Sequence, residues 1–264
     1  MKRTIEDASE IEYDKFGKGT PLVLLHAFPL CSAMWSGQTE YLEKEFKVIA
    51  PNARGIGGTS AFRGAPSVDA MAHDVALLLA DMNLAQPVIV CGLSMGGYVA
   101  LAFARLYPQR LSALVLCDTQ AAPDSPAARH NREQNIAFAQ KHTSSEILER
   151  MLPDLLGETT HTTRPNIVER VRQMAPHAHS SSFVQLLQAL RDRPDATPHL
   201  ANIKVPTLVL AGFEDTITPP TAARFLAENI PHAQLQLISQ AGHLSNIENA
   251  PDFNRRLLSF LRAL

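Results

Sequence analysis

The stretch VIVCGLSMGG, residues 88–97, carries an apolar run into a Gly-x-Ser-x-Gly sequence and out into a helical pattern. A buried strand has no need of a serine at its tip, and glycine weakens the first turn of a helix. The pattern makes sense where a strand turns sharply into a helix. Gly92 and Gly96 then remove side chains that would clash, and Ser94 takes a strained backbone conformation with its hydroxyl projecting from the sheet edge. Open α/β sheets bind ligands at that edge, beyond the carboxyl ends of their strands. The N–H of Met95, at the helix start, is left without an intrahelical partner and can meet a developing negative charge. The competing reading is a serine N-cap with glycines that permit close packing. The strand–turn–helix context favours a nucleophile at Ser94.

On either side of this stretch, short runs rich in Val, Ile and Leu alternate with helical patterns. The runs are PLVLLHAF (21–28), FKVIAPNA (46–53), PVIVCGLS (87–94), LSALVLCDT (111–119), PTLVLAGFED (206–215) and AQLQLISQAGH (233–243). Near-continuous hydrophobicity of this kind suits parallel strands covered on both faces. The alternation in IEYDKFG (11–17) suits an antiparallel edge strand. Helical spacing occurs over 33–45, 67–83, 95–107, 220–229 and 251–263. Alternating strands and helices predict a doubly wound α/β fold with a mostly parallel twisted sheet.

Residues 120–200 break the rhythm. They contain no convincing strand and read as several helices separated by proline. Thr143 with Glu146 fits a capping box, and Phe183, Leu186, Leu187 and Leu190 make one apolar helix face. So long a helical interval between two strands exceeds an ordinary crossover. The expected organisation is a core of residues 1–119 and 201–264, with 120–200 inserted as a helical cap.

A serine hydroxyl needs a base to take its proton. Among ten histidines, His243 is favoured because it follows Gly242 just beyond a strand, on a loop that can reach back over the sheet. His130, His142, His161, His177 and His179 lie in the helical interval, mostly in polar surroundings, and His73 lies in a helical pattern. The imidazole needs a carboxylate to fix its tautomer and stabilise its protonated form. Asp215 ends the strand before TITPP and is preferred. Asp118, which ends the preceding strand, competes, while the neighbouring Glu214 points elsewhere. The chain order Ser94, Asp215, His243 is that of α/β-hydrolases.

At this point the chain resembles the α/β-hydrolase superfamily over nearly its whole length. HAFPL, RGIGGTS, GLSMGG, GFEDTITP and AGHLSNIEN stand in family order. Within it, the chain is similar to small cytosolic esterases and 3-oxoadipate enol-lactonases. The resemblance implies an oxyanion hole formed by the N–H groups of Phe28 and Met95. Ala27 stands where the family usually has glycine, which would strain the loop if that position required positive φ. Asn52 stands where the family often has aspartate, and Arg54 beside it reads as a structural residue bonded to nearby carbonyls. His26 and Trp35 are expected beside the substrate, although His26, which ends a strand near the same edge, also suits a role orienting loops around the site without being the base, and Trp35 also suits an apolar helix face. Cys91 and Cys117 read as strand packing.

The function that follows is a serine hydrolase acting on small carboxylic esters or lactones through an acyl-enzyme. Enol-lactonase, perhydrolase and carbon–carbon hydrolase activities keep the same three residues and stay open. Dehalogenation and epoxide hydrolysis are disfavoured, since in the family they use aspartate where Ser94 stands. A ligand receptor with little turnover is the reading from another class. Among cap residues, Arg129, Arg132, Arg150, Arg164 and Arg170 are candidates for a substrate carboxylate. No motif for a metal or organic cofactor appears, and the chemistry needs none.

The bulk numbers agree. The 264 residues are 45% hydrophobic and 19% charged, enough for a sizeable core and unlike a disordered chain. A formal net charge of −2, with no basic run, gives no footprint for nucleic acid or an anionic membrane. Three widely spaced cysteines and acidic residues by position 6 suggest reduced thiols without a secretory signal, hence a soluble, cytoplasmic protein.

Overall fold

The computed structural model describes residues 1–5 and 9–264. One eight-stranded sheet runs through it: β1 (Lys2–Thr4), β2 (Glu10–Phe16), β3 (Thr20–Leu25), β4 (Phe46–Pro51), β5 (Val88–Leu93), β6 (Leu111–Cys117), β7 (Thr207–Gly212) and β8 (Ala233–Ile238). The strand order is β1-β2-β4-β3-β5-β6-β7-β8. β3 to β8 are mutually parallel, while β2 joins β4 and β1 joins β2 in antiparallel fashion. The antiparallel strand expected over 11–17 is therefore present, but it is not at the edge, because β1 pairs with its outer side. β1 was not foreseen, since three exposed residues, Lys2, Arg3 and Thr4, carry no apolar signal.

The helices are α1 (Ser36–Leu42), α2 (Val68–Asp81), α3 (Met95–Leu106), α4 (Pro126–Ala139), α5 (Ser144–Leu155), α6 (Glu158–Thr163), α7 (Pro165–Arg172), α8 (Ser180–Arg191), α9 (Pro220–Asn229), α10 (Ser245–Glu248) and α11 (Ala250–Leu261). Strand side chains point alternately to the two faces, and both faces are buried. Val23, Leu25, Val88 and Val90 join the apolar cluster under α2, α3 and α8. Leu22, Leu24, Ile89 and Cys91 join the cluster against α11 on the other face. Burial on both sides explains why these strands read as continuous apolar runs.

Between β6 and β7 the chain forms α4 to α8 and a 3-10 turn (Thr197–Asn202). The capping box is present: Thr143 accepts from the Glu146 N–H, and the Glu146 carboxylate accepts from the Thr143 N–H. Phe183, Leu186, Leu187 and Leu190 are all buried, as their spacing predicts. Phe183 packs edge-on against Phe28, their ring centroids 5.7 Å apart. The α8 face thus lies on the loop that follows β3.

Chain direction reverses between β3 and β5. After β3 the chain moves outward to β4, and it then returns to β5 on the other side of β3. The loops leaving β3 and β5 diverge there, at the switch point where a doubly wound sheet opens a crevice. Phe28 and Ser94 sit on those two loops.

Candidate active site

Ser94 has φ +53° and ψ −112°, between the last residue of β5 and the first of α3. A non-glycine residue there stores backbone strain. Two glycines make the turn possible by close approach. A Cβ on Gly92 would lie 2.1 Å from the Gly96 carbonyl oxygen, and one on Gly96 would lie 2.1 Å from the Leu25 carbonyl oxygen. The hydroxyl does not cap the helix, so the plain N-cap reading fails.

The three residues favoured by the sequence come together. His243 Nε2 lies 2.7 Å from Ser94 Oγ, and His243 Nδ1 lies 2.8 Å from Asp215 Oδ2. An ionised carboxylate only accepts, so Nδ1 carries the proton and Nε2 accepts from the serine hydroxyl. Asp215 Oδ2 also accepts from the Thr218 hydroxyl at 2.7 Å, and Oδ1 accepts from the N–H groups of Ile217 and Thr218 at 2.8 and 3.0 Å. Burial opposes ionisation of Asp215, but the charge and hydrogen bond of His243, with the backbone and hydroxyl hydrogen bonds of Thr218, hold its carboxyl below the usual range. Ser94 keeps 9% exposure against 3% for Asp215 and 1% for His243, so its side of the triplet is the one open to approach.

Asp118 is also at the strand edge but touches neither His243 nor Ser94. It accepts from the Gly212 N–H at 2.7 Å and bonds the Ser245 hydroxyl. Burial, and then the charge of Asp215, push its carboxyl well above the usual range and favour its neutral form. Phe28 and Met95 follow β3 and Ser94 respectively. Among the described residues, neither backbone N–H has a hydrogen-bond partner. Ala27 is not among the residues with positive φ, so alanine fits the loop without strain.

Two expectations need correction. Trp35 is fully buried and packs against Phe253 of α11, in the apolar cluster on that face of the sheet. It is core and has no open side for a substrate. His26 is also buried. Its Nδ1 lies 3.0 Å from the Ala27 carbonyl and its Nε2 accepts from the Ala53 N–H at 2.9 Å. Both nitrogens are spent on joining the loops after β3 and β4, and burial pushes the imidazole down to about 4. Arg54 is structural as expected, but its main partner is a carboxylate: it meets both oxygens of Asp74, at 2.6 and 2.7 Å. Asn52 accepts from the Ser32 N–H and donates to Glu12.

A cavity of about 770 Å³ opens between α3, the helical interval and the turn after Asp215, though none of Ser94, Asp215 and His243 lines it. Its lining includes Tyr98, one helical turn beyond Ser94, and Thr216 and Ile217, which follow Asp215. Arg132 and Arg150 face it from the helical interval; the lining does not include Arg129, Arg164 or Arg170. Arg132 is paired with Asp124, which also binds the buried Arg193. Among the described residues, no group of three His, Cys, Asp or Glu side chains is placed to hold a metal ion. Nor is any helix long and apolar enough to cross a membrane.

Sequence reasoning missed Thr218 and Glu248. Thr218 had a usable signal, because Asp followed by a backbone turn two and three residues on is an Asx-turn. Glu248 had none, since two of its partners, Gly157 and Thr160, lie 91 and 88 residues away along the chain.

The alpha/beta hydrolase fold profile matches residues 20–250. The chain belongs to this family. A thermophilic esterase from Thermogutta terrifontis, solved with malate bound, is 38% identical and superposes with a TM-score of 0.93, covering 100% of this chain and 98% of that one. The 3-oxoadipate enol-lactonase 2 of Acinetobacter baylyi is 26% identical over 261 residues, 98% of this chain and 95% of its own length. A 2-hydroxy-6-oxononadienedioate/2-hydroxy-6-oxononatrienedioate hydrolase of Burkholderia vietnamiensis is 29% identical over 271 residues, 98% of this chain and 93% of its own.

Proposed function

We propose that this protein is a serine hydrolase that cleaves small carboxylic esters or lactones through an acyl-enzyme. The observation that carries the reading is the unbroken hydrogen-bonded line Asp215–His243–Ser94, with distances of 2.8 and 2.7 Å, ending at a serine of strained backbone. In it, His243 takes the Ser94 proton as Oγ attacks the carbonyl carbon. Asp215 holds the imidazole in the required tautomer and stabilises the imidazolium that forms. The oxyanion meets the Phe28 and Met95 N–H groups, which are aimed at developing charge and need no reorganisation. His243 then gives its proton to the leaving alkoxide. Water repeats the sequence on the acyl-enzyme and frees Ser94.

The helices of residues 120–200 serve as the cap over this site, placing Phe183 against the oxyanion loop. The substrate enters beside Tyr98 and Thr216, where the cavity has room for a small acyl or alcohol group. Ester cleavage is preferred to carbon–carbon cleavage because the esterase from Thermogutta terrifontis is 38% identical, whereas the carbon–carbon reading rests on a relative at 29%.

Hydrolysis of p-nitrophenyl esters from acetate to decanoate, by the wild type and Ser94→Ala, tests the proposal. Turnover that peaks at one chain length and disappears in the variant is the expected result. Turnover unchanged in Ser94→Ala would remove Ser94 from the mechanism.

A further inference from the structure

Glu248 is a buried carboxylate that the proposed chemistry does not use. Among the described residues no cation meets its carboxylate oxygens. Four donors do, divided evenly between two parts of the chain. Oε1 accepts from the N–H groups of Gly242 and Leu244, at 2.9 and 3.2 Å. These are the residues on either side of His243. Oε2 accepts from the Gly157 N–H at 2.8 Å and the Thr160 hydroxyl at 2.6 Å. These lie at the junction of α5 and α6, in the helical interval between β6 and β7.

Other contacts join the same two regions. The Leu244 N–H also lies 3.2 Å from the Leu155 carbonyl. Arg164 donates to the carbonyls of Gln240 and Glu248. Glu214, next to Asp215, accepts from the N–H and the hydroxyl of Thr159. The backbones of Gly157 and Gly242 meet so closely that a Cβ on Gly242 would lie 2.3 Å from the Gly157 nitrogen. Residues 155–164 therefore grip the turns that carry both His243 and Asp215.

We infer that Glu248 is a positioning residue that couples the aim of His243 at Ser94 to the docking of residues 155–164. The inference rests on the serine-hydrolase reading for its kinetic consequence, but not for its geometry. An ionised carboxylate only accepts, and here it faces donors on both sides. It can hold the His243 turn and the α5–α6 junction together only while both are in place. If the junction lifts, Oε2 loses its partners, and the carboxylate that braces the His243 turn is held from one side only. An error of about 1 Å at the base is enough to cost roughly a hundredfold in rate.

The test uses the full chain with Glu248→Gln and Thr160→Val, alone and together. Glutamine keeps the shape but places an NH₂ against one of the two donor sets. Valine keeps the volume of Thr160 and removes one donor on the far side of Glu248 from His243. Two readouts apply: kcat and KM for p-nitrophenyl acetate per serine titrated by a fluorophosphonate, and the far-downfield proton resonance of His243 Nδ1–H, identified by its loss in Asp215→Asn. Glu248→Gln is expected to lower kcat per titrated site at least about tenfold with KM within about threefold, and to shift or broaden the resonance. Thr160→Val should move both in the same direction by less, and the double variant should be no worse than Glu248→Gln alone. A wild-type kcat per site and an unmoved resonance in Glu248→Gln would overturn the inference, as would fully additive effects. If Glu248→Gln does not fold, Thr160→Val decides it on the same readouts. A wild type without Ser94-dependent turnover would refute the proposed function, while the resonance would still decide the coupling.

Discussion

The Thr218 hydroxyl donates to Asp215 Oδ2, the same oxygen that receives the Nδ1–H of His243. It lies 3.3 Å from Nδ1, so it braces the carboxylate from beside the imidazole. Thr218→Val keeps the shape and the backbone N–H bond but removes this donor. A hydrogen bond to a charged group contributes about 1.5–3 kcal/mol net, which corresponds to a fall in kcat/KM of roughly tenfold to a hundredfold. Steady-state kinetics on a p-nitrophenyl ester check this, with KM expected to stay near the wild-type value.

Two carboxylates compete at this strand edge, and isosteric amides separate them. Asp215→Asn should lower kcat by about four orders of magnitude, because asparagine stabilises the wrong tautomer of the base. Burial pushes the Asp118 carboxyl up, and an amide can keep both of its contacts. The carbonyl accepts from Gly212, and the NH₂ keeps the Ser245 contact with its direction reversed, the hydroxyl now accepting. Asp118→Asn should therefore stay within about threefold of wild-type kcat, a difference of less than 1 kcal/mol in the barrier.

Folding stability should fall in mild acid because of His26. Its folded value of about 4 lies below the usual 6.5. Between these two values the unfolded chain binds more protons than the folded one, so stability decreases as pH drops through that window. The neutral-histidine contribution is fully present above about pH 6.5 and lost by about pH 4, and the shift corresponds to roughly 3 kcal/mol. Denaturant melts at pH 7, 6, 5 and 4 measure the slope. His26→Gln is less stable at pH 7 but should show a shallower slope in the same window.

Phe183 joins the helical interval to the loop after β3 through its edge contact with Phe28. Phe183→Ala removes a fully buried ring, at a cost of about 3–5 kcal/mol. Where the variant remains folded, kcat should fall more than KM rises, since the donor at Phe28 is loosened. Urea melts and ester kinetics on the same sample check both effects.

Much of this molecule was legible in local pattern. The parallel strands of the core announced themselves because burial on both faces demands continuous apolar runs. The turn at Ser94 was legible because only glycines allow the approach of Gly92 to Gly96 and of Gly96 to Leu25. His243 and Asp215 followed from their places just after strands that end at one edge of a parallel sheet. By contrast, β1 was invisible, being three exposed residues whose pairing with β2 is made by the backbone. Trp35 and His26 were misplaced beside the substrate because residue type and sequence distance from a loop do not say which face of the sheet a side chain joins.

Sequence by itself determined what periodicity and short-range sterics control: the order of strands and helices, the elbow at Ser94, and the residues that end each strand. The sequence preferred Asp215 to Asp118 as the partner of His243, but only the tertiary structure gave each its contacts, Asp215 at 2.8 Å from Nδ1 and Asp118 against Ser245. It alone decided that Arg54 belongs to Asp74 and that Glu248 joins Gly157 to Gly242. The reason is physical. Hydrophobic pattern acts through neighbours along the chain, whereas the partner of a buried charge is set by which distant segments packing brings within about 3 Å of it.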